Sequence, residues 1–284
     1  MRKVVVGASR PLTAAPAGRP WQEQIFFSCN GMGRQANPLI HAAWAPPQTT
    51  SEQAGQPRPM LGLECVSLLL QGSLRLADSA GHSASARAGD VIWHGAGRGL
   101  LRQETTQGQP FEMLELWINL PARHKHITPH CQHIPAADIP TFELPGGAGQ
   151  LRLIAGSWQN QNGPAETAQP LHLWDLTLNP GCDLNLPLPH KWYAVALLLE
   201  GGLNISHWNH SLTAPQMALL DAFGDEIGLQ TPADSGARLI IASGQPLNEA
   251  ICAEGALSLD TPEALAQARQ ALADGQFGPP PTAL

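Results

Sequence analysis

Charge is scarce in this chain. Of 284 residues only 14% are Asp, Glu, Lys or Arg, and together they sum to −7 at neutral pH. A chain so poor in cations and acidic overall is not built to track a phosphate backbone, which excludes nucleic acid as a direct partner. Long apolar runs are absent too, and none approaches the roughly 18–20 residues that a membrane span requires. The opening MRKVVVGASRP holds only Val4–Val6 as an apolar core, too short for a signal peptide, and is expected to form a first strand. No CxxC pair occurs. The five cysteines (Cys29, Cys65, Cys131, Cys182 and Cys252) are odd in number and scattered, as expected of reduced thiols in a cytoplasm rather than a disulfide framework.

What the chain does have is glycine and proline, 28 and 26 residues, which favour many turns over long helices. Its length allows one large or two medium domains with ample core. Between Arg58 and Glu104 short apolar segments alternate with turn residues. Glu64–Leu70 and Ser73–Ala77 precede the turn Asp78-Ser79-Ala80-Gly81; Val91–His94 follows Gly89-Asp90; Leu100–Glu104 follows Gly95, Gly97 and Gly99. Short strands at intervals of roughly ten residues predict an all-β sandwich or barrel.

The second half repeats the first. Val66-Ser67-Leu68-Leu69-Leu70-Gln71-Gly72-Ser73-Leu74 aligns without gaps on Val195-Ala196-Leu197-Leu198-Leu199-Glu200-Gly201-Gly202-Leu203, which indicates a duplicated domain. PLHLWDLTLNP at 170–180 and GARLIIAS at 236–243 supply further strands. Only the end is helical: Thr261-Pro262-Glu263 has the pattern of an N-cap followed by proline, Leu265, Ala268 and Leu272 share a face, and Gly275 is a stop. Gly278–Leu284 is expected to be a loose tail.

Several stretches in this order resemble the pirin family. They are Gly62-Leu63-Glu64, Leu69-Leu70-Gln71-Gly72, Asp78-Ser79-Ala80-Gly81, Gly89-Asp90-Val91, Trp93 and Ala96-Gly97-Arg98-Gly99. Leu116-Trp117-Ile118-Asn119-Leu120-Pro121-Ala122, Pro246-Leu247-Asn248-Glu249 and the closing Gly275-Gln276-Phe277-Gly278 complete the set. The resemblance implies two tandem cupin domains, each a jelly-roll β-barrel, with a short C-terminal helix. Their expected limits are residues 1–122 and 136–260, joined by a linker at 123–135, with 261–284 packing back on the first domain.

The family also implies a divalent metal, iron or another, held by a His-x-His pair before the first strand and a His-x-Glu pair after the glycine-rich bend. By spacing, these positions fall on Arg58, Met60, Arg102 and Glu104. Arginine has no lone pair to donate and repels a cation, so the metal centre is expected to be lost and no cofactor is expected. Positions 58, 60 and 64 share parity, as do 102 and 104. If both segments stay extended, Arg58, Met60, Glu64, Arg102 and Glu104 line one pocket. Two outcomes stay open: compensating ion pairs, or an arginine left free to hold a carboxylate or enolate of a ligand. Glu104 is the one candidate for a residual base. Carrying the same offset into the second half gives Pro187, Pro189, Thr231 and Ala233, a set with no metal ligands.

Other candidates are less specific. Cys65 is expected to be a small buried hydrophobe; as a redox sensor it would need a thiolate. His94 is a candidate substitute ligand. His124, His126, His130, Cys131 and His133 crowd into RHKHITPHCQH, which suggests either zinc or an exposed connector. Residues 45–59, APPQTTSEQAGQPRP, are expected to form an irregular loop or lid. Two classes of function follow. One is a metal-free module that binds a small anionic or aromatic ligand or a protein partner. The other, which the resemblance also implies, is a metal-dependent flavonol (quercetin) dioxygenase-like enzyme using non-standard ligands. A cysteine-based redox sensor is third.

Overall fold

The structure, a computed structural model, describes residues 1–14, 18–108 and 110–281. Thr282–Leu284, the end of the expected tail, lie outside the described residues. Among the described residues the chain forms two compact units, mostly β, with one α-helix that belongs to the first of them, and both units are discontinuous in sequence. The first unit comprises Leu12–Arg34, Ile40–Ala136 and Leu247–Leu284; the second comprises Met1–Pro11, Gln35–Leu39 and Ala137–Pro246. The repeat in the sequence divides the chain into consecutive blocks instead. Its limits miss the N-terminal strand Val5–Ser9, which pairs antiparallel with Gln216–Leu220 of the second unit. Which sheet edge is free to accept a short strand is a tertiary fact, invisible to local pattern.

In the first unit a central strand, Leu63–Gln71, is buried along nearly its whole length. Such a strand is covered on both faces, and six of the nine residues of LECVSLLLQ are apolar, with Glu64 and Ser67 buried among them. Val91–Gly95 and Pro110–Asn119 flank it. The sheet continues outward to His130–Ile134 on one side and to Leu39–Thr49, Gln24–Phe27 and Leu12–Thr13 on the other. A second sheet runs Glu52–Ala54, Leu100–Gln107, Ser73–Asp78, Ser83–Arg87, with Arg58–Met60 also paired to Leu100–Gln107. Trp21, Leu69, Leu74, Leu76, Ile92, Phe111 and Met113 form one buried cluster of this unit. Each such side chain contributes about 1.5–3 kcal/mol on burial. Gly72 turns the chain at φ 84°, where a Cβ would strike the Pro110 carbonyl.

Two expectations for this unit change. Residues 45–59 are not an irregular loop: Leu39–Thr49 runs through Pro46 and Pro47, Glu52–Ala54 pairs with Thr105–Gln107, and Arg58–Met60 pairs with Leu100–Arg102. Proline is tolerated in strands where its missing N–H owes no ladder bond. The stretch 123–135 is not a detached linker either. His130–Ile134 is an edge strand on Val91–Gly95, and Lys125 is buried, its Nζ donating to Asn119 Oδ1 at 2.6 Å and to the Ser258 carbonyl at 3.1 Å.

The helix, Pro262–Ala273, starts as its sequence predicts: the Thr261 hydroxyl accepts the Ala264 N–H at 3.1 Å. Its buried Leu265 and Ala268 pack with Leu61, Leu257, Leu259 and Phe277. No helix among the described residues is long and apolar enough to cross a membrane.

The second unit centres on the long strand Tyr193–Ile205, between Ala237–Gly244 and Gln216–Leu220, with Leu171–Leu178, Gly149–Ala155 and Thr141–Glu143 beyond. Asp183–Pro187 pairs with Glu226–Gln230. Its core is leucine-rich: Leu151, Leu153, Leu176, Leu186, Leu198, Leu220, Leu229 and Leu239 are all buried around Trp174. The gapless offset does not carry through this unit. Arg58 lies opposite Arg102, but Pro187 lies opposite Glu226, and Thr231 falls past the strand end. There its hydroxyl accepts from Cys182 N at 3.0 Å and donates to the Asn179 carbonyl at 2.6 Å, which closes a turn.

Candidate functional site

Arg58 and Arg102 both reach the interior of the first unit. They hold Glu104 from two sides, Arg58 Nη2 at 3.0 Å and Arg102 Nη2 at 2.7 Å. A second carboxylate that sequence did not single out, Glu115, lies 3.5 Å from Arg58 and 4.0 Å from Arg102. It also accepts from Trp117 Nε1 at 2.7 Å and from Arg19, whose Nε lies 3.2 Å from Glu23. Three guanidiniums thus meet three carboxylates. Burial would push Glu104 up, yet Arg102, Arg58 and Arg19 outweigh it and hold its carboxyl below the usual carboxylate range. Glu115 is held down in the same way by Arg19, Arg58 and Arg102 against its own burial. Of the two outcomes left open by the sequence, the structure takes the ion pairs.

Met60 and Glu64 do not join them. Gly62, at φ 71°, interrupts the extended chain between the two, so parity does not carry across it. Met60 is fully buried among Cys29, Ile40, Leu63 and Cys65, and Glu64 Oε1 lies 3.8 Å from His130 Nε2. Cys65 is buried as expected, and burial drives its thiol far above the range of a reactive thiolate.

A different constellation lies in the same unit. Asp78 ends the strand Ser73–Asp78 and folds its carboxylate back over its own turn, Oδ1 accepting the N–H of Ala80 at 2.8 Å and of His82 at 2.9 Å. This is the usual use of aspartate in a turn. Its other oxygen, Oδ2, lies 2.8 Å from His82 Nδ1 and 2.7 Å from His94 Nε2. His94 is placed by Val91–Gly95, where it sits between Cys65 and Cys131 on the neighbouring strands. One potential ligand atom from each of Asp78, His82 and His94 lies within 4.8 Å of the others.

The protonation states suit a cation. Burial would raise the Asp78 carboxyl, but hydrogen bonds from His94 and His82 hold it at about 2; burial lowers His94 to about 4 against the pull of Asp78. At neutral pH the set holds an ionised carboxylate and, in His94, a neutral imidazole. Two histidines with one carboxylate are a donor set for a divalent metal such as non-haem iron, so these residues fit the group that the family resemblance implies. The expectation of a lost metal centre therefore does not stand: positions 58, 60, 102 and 104 hold no donor set, but another group does.

His82 is partly exposed and opens on a cavity of about 300 Å³ that also meets Ser79, Arg98 and Phe277. Arg98 and Phe277 line a second cavity of about 390 Å³ as well, walled by Leu61, Ala264, Ala268 and Ala271. Of these residues the sequence suggested only His94 as a ligand. The missed signal was Asp78-x3-His82 within a turn, which turn chemistry alone explained. The crowded stretch 123–133 forms no such group among the described residues; His133 instead bonds Asp90 Oδ2 at 3.0 Å.

Two β units of this form in one chain, with a candidate metal group in one of them, define a bicupin. Comparison with known families fixes which one: the pirin model matches residues 30–118 and the pirin C-terminal cupin domain matches residues 173–278. A Pseudomonas aeruginosa protein named "Putative quercetin 2,3-dioxygenase" is 34% identical over 92% of this chain and 95% of its own length. A tomato pirin-like protein is 32% identical over 81% of this chain and 78% of its own. The chain belongs to the pirin family. Among solved structures, quercetin 2,3-dioxygenase from Acinetobacter baumannii superposes with a TM-score of 0.92 at 29% identity, covering 98% of this chain and 99% of that one. An Escherichia coli pirin in complex with nickel(II) shares the fold at 17% identity, with a TM-score of 0.62, over 84% of this chain and all of its own.

Proposed function

We propose that this pirin is a metal-dependent oxidoreductase of the quercetin 2,3-dioxygenase kind, its divalent metal held by Asp78, His82 and His94. The observation that carries the reading is the meeting of those three side chains, of which His82 lines a cavity together with Arg98. The relatives named as quercetin 2,3-dioxygenases support it. A bound ion there would polarise an oxygen-bearing substrate and support electron transfer to oxygen. The chain's own residues supply the surroundings. Asp78 stays ionised and fixes both imidazoles, and binding exchanges their protons on Asp78 for the cation. Arg98 is exposed beside His82 and can hold an ionised substrate oxygen, while Leu61 and Phe277 offer an apolar wall.

The test is metal analysis of protein made without a histidine tag, followed by oxygen uptake with quercetin. About one iron or other divalent ion per chain is expected, lost in His82→Gln and His94→Gln. Protein that takes up no metal after reconstitution would overturn the reading. That result would favour the metal-free module instead, for which one observation speaks: positions 58, 102 and 104 are tied up in ion pairs. The redox-sensor reading is disfavoured, since burial raises Cys29 and Cys65 and pushes Cys131 up to about 11.

A further inference from the structure

Two cavities of the first unit share one exposed cation. Arg98, Gly99, Gln276 and Phe277 line both the cavity of about 300 Å³ beside His82 and the cavity of about 390 Å³ along the helix. The turn that carries Arg98 is held by three backbone bonds. Gly62 N donates to the Gly97 carbonyl at 2.8 Å, Arg98 N to the Ile127 carbonyl at 2.9 Å, and Gly99 N to the Ala96 carbonyl at 2.9 Å. Glycine is required on either side, at φ 45° and 112°: a Cβ at Gly97 would strike the Ile127 carbonyl, and one at Gly99 would crowd the Phe277 ring. The base of Arg98 is thus fixed while its side chain stays exposed, with no ion pair among the described residues. Among those residues no aspartate or glutamate lines either cavity, although the chain as a whole carries a net charge of −7.

We infer that the larger cavity binds a flat aromatic monocarboxylate, its carboxylate on Arg98 and its ring along the helix. A guanidinium meets a carboxylate by two parallel hydrogen bonds, and a lining without acids spares the ligand any repulsion. The remaining wall suits a ring. Ala264, Ala268 and Ala271 recur along one side of the helix, where their short side chains leave a shallow, even surface, and Leu61, Leu259 and Phe277 continue it. With one fixed cation the cavity matches a monoanion better than a phosphate dianion. A fatty acid fits less well, because a flexible chain loses more rotational freedom on binding than a rigid ring does. The volume lies in the range of ordinary small-molecule sites. The inference shares Arg98 with the function proposed above but needs no metal.

Titration calorimetry of the full chain with 2-naphthoate, in the presence of a chelator, tests this. Saturable binding of one molecule per chain is expected, and equally in His82→Gln. Arg98→Gln should weaken it about tenfold to a hundredfold. The uncharged 2-naphthamide, which keeps the ring, should bind the unaltered chain as weakly. Ala264→Phe enlarges a half-buried position on the cavity wall and should abolish binding with Arg98 still in place. The inference is overturned by no saturable binding to the unaltered chain, by naphthamide binding as tightly as naphthoate, by octanoate binding more tightly, or by unchanged affinity in Arg98→Gln or Ala264→Phe. Loss of binding in His82→Gln would also overturn it, by moving the carboxylate to the metal group, and would leave the earlier reading standing. Protein that takes up no metal yet binds naphthoate would overturn the earlier reading alone.

Discussion

Inside the first cupin unit, Arg19, Arg58 and Arg102 face Glu23, Glu104 and Glu115; inside the second, a comparable set of strands presents Leu153, Leu176, Leu198, Leu229, Leu239 and Ile241. One fold accommodates both because each interior is partnered in its own way, although Arg102 Nε and Nη1 are buried without a hydrogen-bond partner among the described residues. Leucines are satisfied by contact, and charges only by partners of opposite sign. The difference lies in what each unit tolerates. The apolar interior should yield in proportion to the volume removed. The charged one should yield to the loss of any single partner, however small.

Arg102 sharpens that contrast most. It is fully buried, its Nη2 shared between Glu104 and the Ser67 hydroxyl at 2.7 Å. Arg102→Met should cost about 3–5 kcal/mol, read by urea unfolding, because it strands buried carboxylates. Adding Glu104→Leu to Arg102→Met should recover part of the loss, and no recovery would show that packing, not charge balance, sets the cost. In the apolar unit, Leu198→Ala removes a fully buried side chain and should cost about 2–5 kcal/mol, with no single partner change able to restore it.

Acid separates the two interiors less. His41 in the first unit stacks on Trp117 at 4.1 Å, and His172 lies in the second. Burial holds each at about 4 against an ordinary 6.5. Each is therefore neutral when folded, while the unfolded chain takes up protons below pH 6.5. Stability should be unaffected by these groups above pH 6.5 and fall as pH drops from 6.5 towards 4, by up to about 3 kcal/mol for each histidine. His41→Phe and His172→Phe should each flatten that part of the pH profile; unchanged slopes would show that both imidazoles are already solvated. The smallest effect belongs to the helix of the first unit. Thr261→Ala deletes its cap and should cost about 1 kcal/mol in thermal unfolding, with Thr261→Asn close to unchanged.

The sequence disclosed strands better than sites. Leu63–Gln71 and Tyr193–Ile205 are legible because a short apolar segment ending at a glycine turn has few alternatives to a strand, and the helix is legible from Thr261-Pro262. The candidate metal group was legible in one member of three. Asp78 and His82 look like ordinary turn residues, and His94 lies on another strand, so only sheet pairing brings Asp78 Oδ2 to both rings. The charged interior was half legible. Arg58 and Arg102 stood out against the family pattern, but Arg19 comes from a remote segment with no periodic signal. Glu115 left a fainter trace, an acid within an apolar strand, which burial turns into a demand for a cation.

Composition and pattern by themselves determined a turn-rich, duplicated β protein with one terminal helix, since period-two apolar runs and glycine punctuation act locally and need no distant partner. Tertiary structure alone decided which side chains share an interior: that Gly62 breaks the parity of Met60 and Glu64, that Val5–Ser9 completes the second unit, and that a carboxylate and two imidazoles meet across a turn and a strand. Those outcomes depend on sheet register and on free strand edges, which are fixed only when segments far apart in the chain come together.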